Sequence, residues 1–392
     1  VGTTCNPTAR VEEALAARNE LCESFFAREA DRLAAACQRM AERFQSGGRL
    51  LAFGQGSYGT DAQHVSVEFV HPVIVGKRAL PALDLSIEFG RWVRAVLRPD
   101  DIAMGFGPPE GDPSVWETLA FAQAAGAMTF ALPGTHGSYA VPAATAHPFI
   151  HQEIVEILYH TLWETVHVFL ERREFGHDVG EAGFLYPFLG RDKQPASDAL
   201  TEVAASIRMK SADDSTLRRQ VAHEQADAIG DAARAIRGRL ARGGKLILFG
   251  NGGSATDAND WALDCVAPPA GYAPIPAVSL SLEPANITAI ANDIGTEVIF
   301  LRQLIAHARP DDVAVAISTS GGSRNLVAAL EAARKRGLMT MALLGYDGGE
   351  IGRRNLADMS LIVRCDYIPR IQEVQASIYH IVRELLEVLD HA

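Results

Sequence analysis

KLILFGNGGSATDANDWALD, residues 245 to 264, sets the fold of this chain. Lys245 to Phe249 is a short apolar run with no charge after the lysine, the pattern of a strand buried on both faces of a parallel sheet. Gly250, Gly252 and Gly253 allow a tight turn. Ser254 supplies a hydroxyl where a helix begins that runs through Asp257, Trp261 and Asp264. A glycine turn between a buried strand and a helix N-terminus leaves backbone N–H groups pointing at an anion, most often a phosphate. The pattern stands earlier in altered wording, RLLAFGQGSYGTDAQHVSVE at residues 49 to 68. The unit is duplicated.

Working outward, each copy repeats one order of elements. In the first half, spacing predicts a helix over Arg10 to Phe44, stopped by Ser46-Gly47-Gly48. Strands follow at Leu50 to Phe53, Ala79 to Leu85, Ile102 to Phe106 and Met128 to Leu132. Helices are expected around Trp116 to Ala125 and from His151 to Glu171. The second half repeats this with a helix over Leu217 to Ala241 and strands at Ile275 to Leu280, Val313 to Ile317 and Thr340 to Leu344. Its last helix runs from Ile371 to Leu389. Strand and helix alternating at this rhythm imply an α/β fold, two doubly wound parallel sheets in tandem, each with flanking helices. Gly190 to Asp213 holds the polar, turn-prone RDKQPAS and KSADDS, which places the expected boundary between domains 1–190 and 191–392. Gly54 pairs with Gly250 at an offset of 196, but His160 pairs with His380 at 220, so the copies differ by 24 residues in their middles.

Composition narrows the partners. At 392 residues, with 48% hydrophobic and 21% charged residues, the chain suits two globular domains. A net charge of −12 with no basic run argues against nucleic acid or an anionic membrane. No apolar run reaches a membrane span and no secretory signal opens the chain. Five cysteines without a CxxC pair fit reduced thiols in a cytoplasm.

The unequal middles carry chemistry. The second copy has ANDIG, Ala291 to Gly295, and then STSGGS, Ser318 to Ser323, after a strand. Four hydroxyls around two glycines at a strand-to-helix turn can wrap a phosphate with side-chain and backbone donors. The first copy has GFGPPEGDPS there, Gly105 to Ser114: its prolines lack N–H donors, and Glu110 and Asp112 repel a phosphate. The expected anion cradle belongs to the second copy.

Two strand–glycine–helix units with a serine-rich turn after a later strand resemble sugar isomerase (SIS) domains. The second copy, through GNGGSATDA, ANDIG, ISTSGGS, GYDGGE and RIQE, is similar to the phosphoheptose isomerase branch. The resemblance implies substrate contacts at Asn251, Gly252, Gly253, Ser254, Asn292, Asp293, Ser318, Thr319, Ser320, Ser323 and Gln372. It implies a Zn²⁺ site built from a His and a Glu four apart on the first helix and a Gln and a His eight apart on the last. Those positions are His64, Glu68, Gln152 and His160 in the first copy, and Asp260, Asp264, Gln372 and His380 in the second. An arginine that follows the family's Glu is absent from both copies, where Pro72 and Pro268 fall at or near its position.

Aldose–ketose isomerisation moves a proton between neighbouring carbons through an enediol, so it needs a base at one carbon and an acid at the adjacent oxygen. The resemblance gives the base role to Glu68 or Asp264 and the acid role to His160 or His380, with zinc polarising the carbonyl. Asp260 and Asp264 make a weaker zinc site or hold a different ion. The expected function is a metal-assisted isomerase of sedoheptulose 7-phosphate type. Neither copy holds every part, and the second is expected to do the chemistry because it alone has the cradle. The alternatives are a non-catalytic sugar-phosphate-sensing or partner-binding protein, and a nicotinamide dehydrogenase reading Gly54, Gly56, Gly59 and Asp84 as its fingerprint. Because the family's domains assemble as tetramers, a tandem chain is expected to form a homodimer.

Overall fold

The computed structural model describes residues 6–73, 77–174 and 196–389. They form two compact units, Asn19–Ser215 and Val1–Arg18 together with Thr216–Ala392. In chain order the first sheet and its helices are α1 (Pro7–Gln45), β1 (Leu50–Gly54), α2 (Tyr58–Val70), β2 (Ala82–Asp84), α3 (Phe89–Val96), β3 (Ile102–Phe106), α4 (Pro113–Ala124), β4 (Met128–Leu132), β5 (Tyr139–Ala140) and α5 (Pro148–Glu174). The rest follow as α6 (Ala196–Leu240), β6 (Leu246–Gly250), α7 (Gly253–Val266), β7 (Ala277–Ser279), α8 (Pro284–Asp293), a 3-10 turn (Thr296–Val298), α9 (Ile299–His307), β8 (Val313–Ser318), α10 (Arg324–Lys335), β9 (Met339–Gly345), α11 (Gly349–Arg353), β10 (Met359–Val363) and α12 (Ile368–Val388). Both sheets are parallel, ordered β2-β1-β3-β4-β5 and β10-β9-β8-β6-β7.

The apolar strand runs are explained by burial on both faces. Leu50 and Ala52 of β1 join a core with α1, α2 and α5, whereas Phe53 faces a second core with residues of α3 and α4. In the second unit Leu246 and Leu248 pack towards α6, α7 and α12, and Ile247 and Phe249 pack towards α9 and α10. Alternation with period two thus fills two cores per sheet.

The duplication is visible in three dimensions. Asp101 in the first unit accepts from Arg49 N (3.0 Å) and Arg98 N (2.9 Å), and Asp312 in the second accepts from Lys245 N (3.0 Å) and Arg309 N (2.8 Å). Arg49 Nη2 and Lys245 Nζ add ion pairs of 2.7 and 2.6 Å to the same carboxylates. Each carboxylate ties the turn before one strand to the start of its neighbour. Hydrogen bonds to a buried charge are individually strong, so Asp101→Ala or Asp312→Ala should each cost on the order of 3 kcal/mol in urea unfolding. A loss below about 0.5 kcal/mol, the level of an ordinary surface change, would contradict this role.

The structure corrects the polar boundary. The expected cut at residue 190 and the RDKQPAS stretch as far as Pro195 lie outside the described residues, but KSADDS, Lys210 to Ser215, is mid-helix in α6. Lys210, Ser211, Asp214 and Ser215 are buried, Lys210 pairs with Glu164 of α5, and Asn19 Nδ2 donates to Ser215 O at 3.2 Å. Their polarity serves internal pairing, not a solvated turn. The strands expected over Ala79–Leu85 and Ile275–Leu280 shrink to β2 and β7. Neither β5 nor β10 was foreseen: both are edge strands, β5 only two residues long and β10 the run MSLIV with no glycine turn after it. Among the described residues no helix is long and apolar enough to cross a membrane, and no disulfide involves Cys22, Cys37, Cys265 or Cys365.

Candidate functional site

In the second unit the chain leaves β6 for β7 on one side and returns to β8 on the other. The carboxyl ends of β6 and β8 therefore frame a crevice, where open α/β sheets bind ligands. Gly250 pairs in register with Ile317, which brings the glycine turn beside Ser318 to Ser323. Asn251 and Asn325 exchange side-chain amide hydrogen bonds of 3.0 and 2.9 Å across the two turns. Gly250 is required at this turn, because a Cβ there would sit 2.2 Å from Ser254 O.

The serine turn is pre-shaped. Ser318 Oγ accepts from Gly321 N at 3.0 Å and Ser320 Oγ from Gly322 N at 3.3 Å. Gly321 has φ +61, and a Cβ on it would lie 2.2 Å from Gly348 O, while Ile351 N donates to Gly321 O at 2.9 Å. The GYDGGE turn after β9 is thus the wall against which the cradle is held, a role its sequence alone did not disclose. Ser323 precedes α10, and no side chain caps that helix; Gly252 likewise precedes α7 uncapped. Two helix N-termini with their N–H groups and dipoles open towards one crevice suit an anion. Thr319 is half-buried, Ser320 exposed and Ser254 buried. Asn292 and Asp293 behave differently: they end α8, are exposed, and bond to each other at 2.8 Å. Among the described residues no hydrogen bond joins them to the serine turn.

The first unit fills the matching place from within. Asp112 Oδ1 accepts from Ser114 N (2.7 Å) and Val115 N (3.1 Å) at the start of α4, so a carboxylate already sits where a phosphate would. Asp84, at the end of β2, accepts from Ser86 N and Oγ at 2.9 and 2.6 Å.

Two buried clusters lie on the helices. In the second unit, where α7 packs on α12, His380 Nε2 approaches Asp264 Oδ2 (3.3 Å) and Asp260 Oδ2 (3.4 Å), and Tyr379 donates its hydroxyl to Asp260 at 2.9 Å. Trp261 stacks on Tyr379, and the buried Arg383 donates to Asp264 O at 3.1 Å. Burial and the adjacent Asp260 charge push the Asp264 carboxyl up to about 7, against the opposing pull of His380. In the first unit His160 Nε2 and His64 Nε2 are 3.3 Å apart and Glu68 is 3.9 Å from His64. Burial, then His160, hold His64 well below the ordinary imidazole range.

Of the four residues expected to share an ion, His64, Glu68 and His160 in the first copy and Asp260, Asp264 and His380 in the second lie together, whereas the glutamines stand apart. Gln152 and His160 are eight residues apart on one helix, roughly 12 Å along its axis. Gln152 Nε2 instead donates to Asp61 Oδ2 (3.2 Å) and Ser57 O (3.4 Å). Gln372 stands in the same relation to His380 and is buried. Sequence reasoning missed Glu156, whose carboxylate meets His64 and His160. A glutamate in the buried run EIVEILYH, one turn before His160, was the available signal.

A SIS-domain family model matches residues 212–345. The phosphoheptose isomerase of Geobacter sulfurreducens is 46% identical over 165 residues, covering 42% of this chain and 86% of that protein. The chain belongs to the SIS-domain family. A second phosphoheptose isomerase, from Citrifermentans bemidjiense, is 43% identical over 165 residues and is covered to 85% of its length. Two solved structures share the tandem SIS fold across the chain: the C-terminal domain of glucosamine-fructose-6-phosphate aminotransferase from Francisella tularensis (TM-score 0.63, 8% identity, 100% of this chain and 97% of that one) and tagatose-6-phosphate ketose/aldose isomerase from Escherichia coli (TM-score 0.56, 13% identity, 100% and 96%). At those identities the likeness concerns the SIS fold alone.

Proposed function

We propose that the second unit interconverts the aldose and ketose forms of a sugar phosphate, of sedoheptulose 7-phosphate type. The observation that carries this reading is the open crevice between β6 and β8, with its serine turn and two uncapped helix N-termini. The phosphate sits in Ser318 to Ser323 with Ser320 and Ser323 as donors, and Asn251 and Ser254 approach the sugar from the glycine turn. Asp264, pushed up towards neutrality, takes a proton from the carbon, and His380 gives or takes one at the neighbouring oxygen. At the second cluster Tyr379 already donates to Asp260, and the 3.3–3.4 Å spacings suit proton transfer; no step of the proposed chemistry passes through a metal there. The soluble, cytoplasmic sugar-phosphate pool supplies the substrate.

One copy of the chain does not complete this site. Ser254 and Asp264 lie ten residues apart in α7, about 15 Å along the axis. An extended seven-carbon phosphate, at about 1.5 Å per bond and zigzag geometry, spans roughly 10 Å. The cradle of one chain therefore works with Asp264 and His380 of a second chain, which makes a homodimer of tandem chains the smallest working assembly.

The test is conversion of sedoheptulose 7-phosphate by the full chain, followed by NMR at the anomeric proton. Asp264→Asn should lower kcat by about 10²–10⁴ with little change in KM. Ser320→Ala with Ser323→Ala should raise KM at least about a hundredfold, since each donor to a charged oxygen is worth about 1.5–3 kcal/mol. Sugar phosphate that binds through the serines without turning over would support the sensing alternative, which the exchange of the expected His and Glu for Asp260 and Asp264 favours.

A further inference from the structure

The two units hold the same backbone carbonyl by different means. Gly54 pairs in register with Phe106 and Gly250 with Ile317, so Gly107 and Ser318 are equivalent, each the next residue at the carboxyl end of its strand. In the first unit His151 Nε2 of α5 donates to Gly107 O at 3.1 Å. In the second, Gln375 Nε2 of α12 donates to Ser318 O at 3.5 Å. At the offset of 220 that joins His160 to His380, His151 matches Ile371 and Gln375 matches Val155, so the donor has moved one turn along the last helix. Ile371 packs at the same place, since a Cβ on Gly345 would lie 2.6 Å from its Cδ1 and 2.5 Å from Thr319 O. Gln375 is fully buried, and its Oε1 has no hydrogen-bond partner among the described residues. A buried amide oxygen without a donor is destabilising, and the first unit, with Val155 there, avoids it. Turning the amide over brings no relief, because Oε1 would then face the Ser318 carbonyl.

We propose that Gln375 is a positioning residue of the phosphate cradle, fixing the root of the Ser318 to Ser323 turn from α12. The Ser318 carbonyl and the Thr319 N–H belong to one planar trans peptide and point opposite ways. An oxygen held towards α12 therefore turns the first N–H of the cradle away from that helix. Ser318 Oγ accepts from Gly321 N at 3.0 Å, so a shift of Ser318 is passed to the glycine that shapes the turn. At 3.5 Å the bond from Gln375 is long, and its loss loosens the turn without dismantling it. The cradle role rests on the sugar-phosphate reading of the second unit; the anchoring of the turn does not.

The experiment compares the full chain with its Gln375→Met, Gln375→Val and Gln375→His forms, by hydrogen exchange without ligand and by turnover of sedoheptulose 7-phosphate. Met keeps the volume without the amide, Val is the first unit's own residue, and His restores an N–H donor of the kind His151 supplies. Met and Val should speed amide exchange in the peptide spanning Ser318 to Asn325 by about three- to tenfold, the range of one hydrogen bond. KM should rise by a similar factor with kcat within about twofold. The melting temperature should stay within about 2 °C, since the orphaned oxygen leaves together with the donor. His should return exchange and KM to within about twofold of the parent. Unchanged exchange at the turn in both Met and Val would overturn the anchor. A lowered melting temperature with faster exchange throughout the second unit would reduce Gln375 to a structural part, and faster exchange at the turn with an unchanged KM would refute the cradle role. A parent chain that neither binds nor converts the sugar phosphate would end the reading of the site, and exchange at the turn would then decide the anchor by the same outcomes.

Discussion

A mixture of the Ser320→Ala/Ser323→Ala chain and the Asp264→Asn chain should isomerise sugar phosphate at substrate levels where neither variant does so alone. Ser254 at the glycine turn and Asp264 stand about 15 Å apart along α7, and on the proposed reading a seven-carbon phosphate does not bridge the site within one copy. If each working site takes its cradle from one chain and its acid–base pair from another, a mixed dimer regains one intact site of two. Random exchange makes about half the dimers mixed, so about a quarter of the parental activity should return. Co-expression with two affinity tags isolates the mixed species directly. A purified mixed dimer as inactive as its parents would place both functions in one chain and end the two-copy site.

Cutting the chain at the polar stretch should be nearly as damaging. A fragment of residues 191–392 loses the first turns of α1, which belong to the second unit. Val11 and Leu15 are fully buried in that core, and Arg18 pairs with Glu384 at 2.6 Å. Two such aliphatic side chains are worth about 1.5–3 kcal/mol each, against a usual total stability of about 5–15 kcal/mol. The fragment also bares Val203, Ala204 and Ile207, whose core stays behind. It should be aggregation-prone, with no cooperative thermal transition, while a chain retaining both ends melts cooperatively. A fragment that melts like the full chain would show that α1 contributes little to the second unit.

These two cases mark where sequence was legible. Strand, glycine turn and helix could be read because a strand buried on both faces must be apolar and a tight turn must be glycine; Ile102–Phe106 and Met128–Leu132 fall where expected. The serine turn was legible for the same local reason. Lys210 to Ser215 was not, since a buried lysine and a solvated one look alike until Glu164 is placed beside it. Of each expected ligand set the His and carboxylate members could be read, since they meet in the structure, but a Gln and a His eight apart are held two turns apart on one helix. Glu156, four from His160, was one residue type away from notice in a run otherwise suited to a core.

Asp112 gives the first unit a ligand that never departs. Tied to the chain within three residues of the amides it contacts, its carboxylate acts at a local concentration that dissolved phosphate does not approach. A dissolved phosphate would have to displace this tethered competitor to reach the same amides. Of the two copies, then, one leaves the start of its helix uncapped by any side chain and the other carries its own anion there, in a loop whose prolines and Glu110 lean the same way.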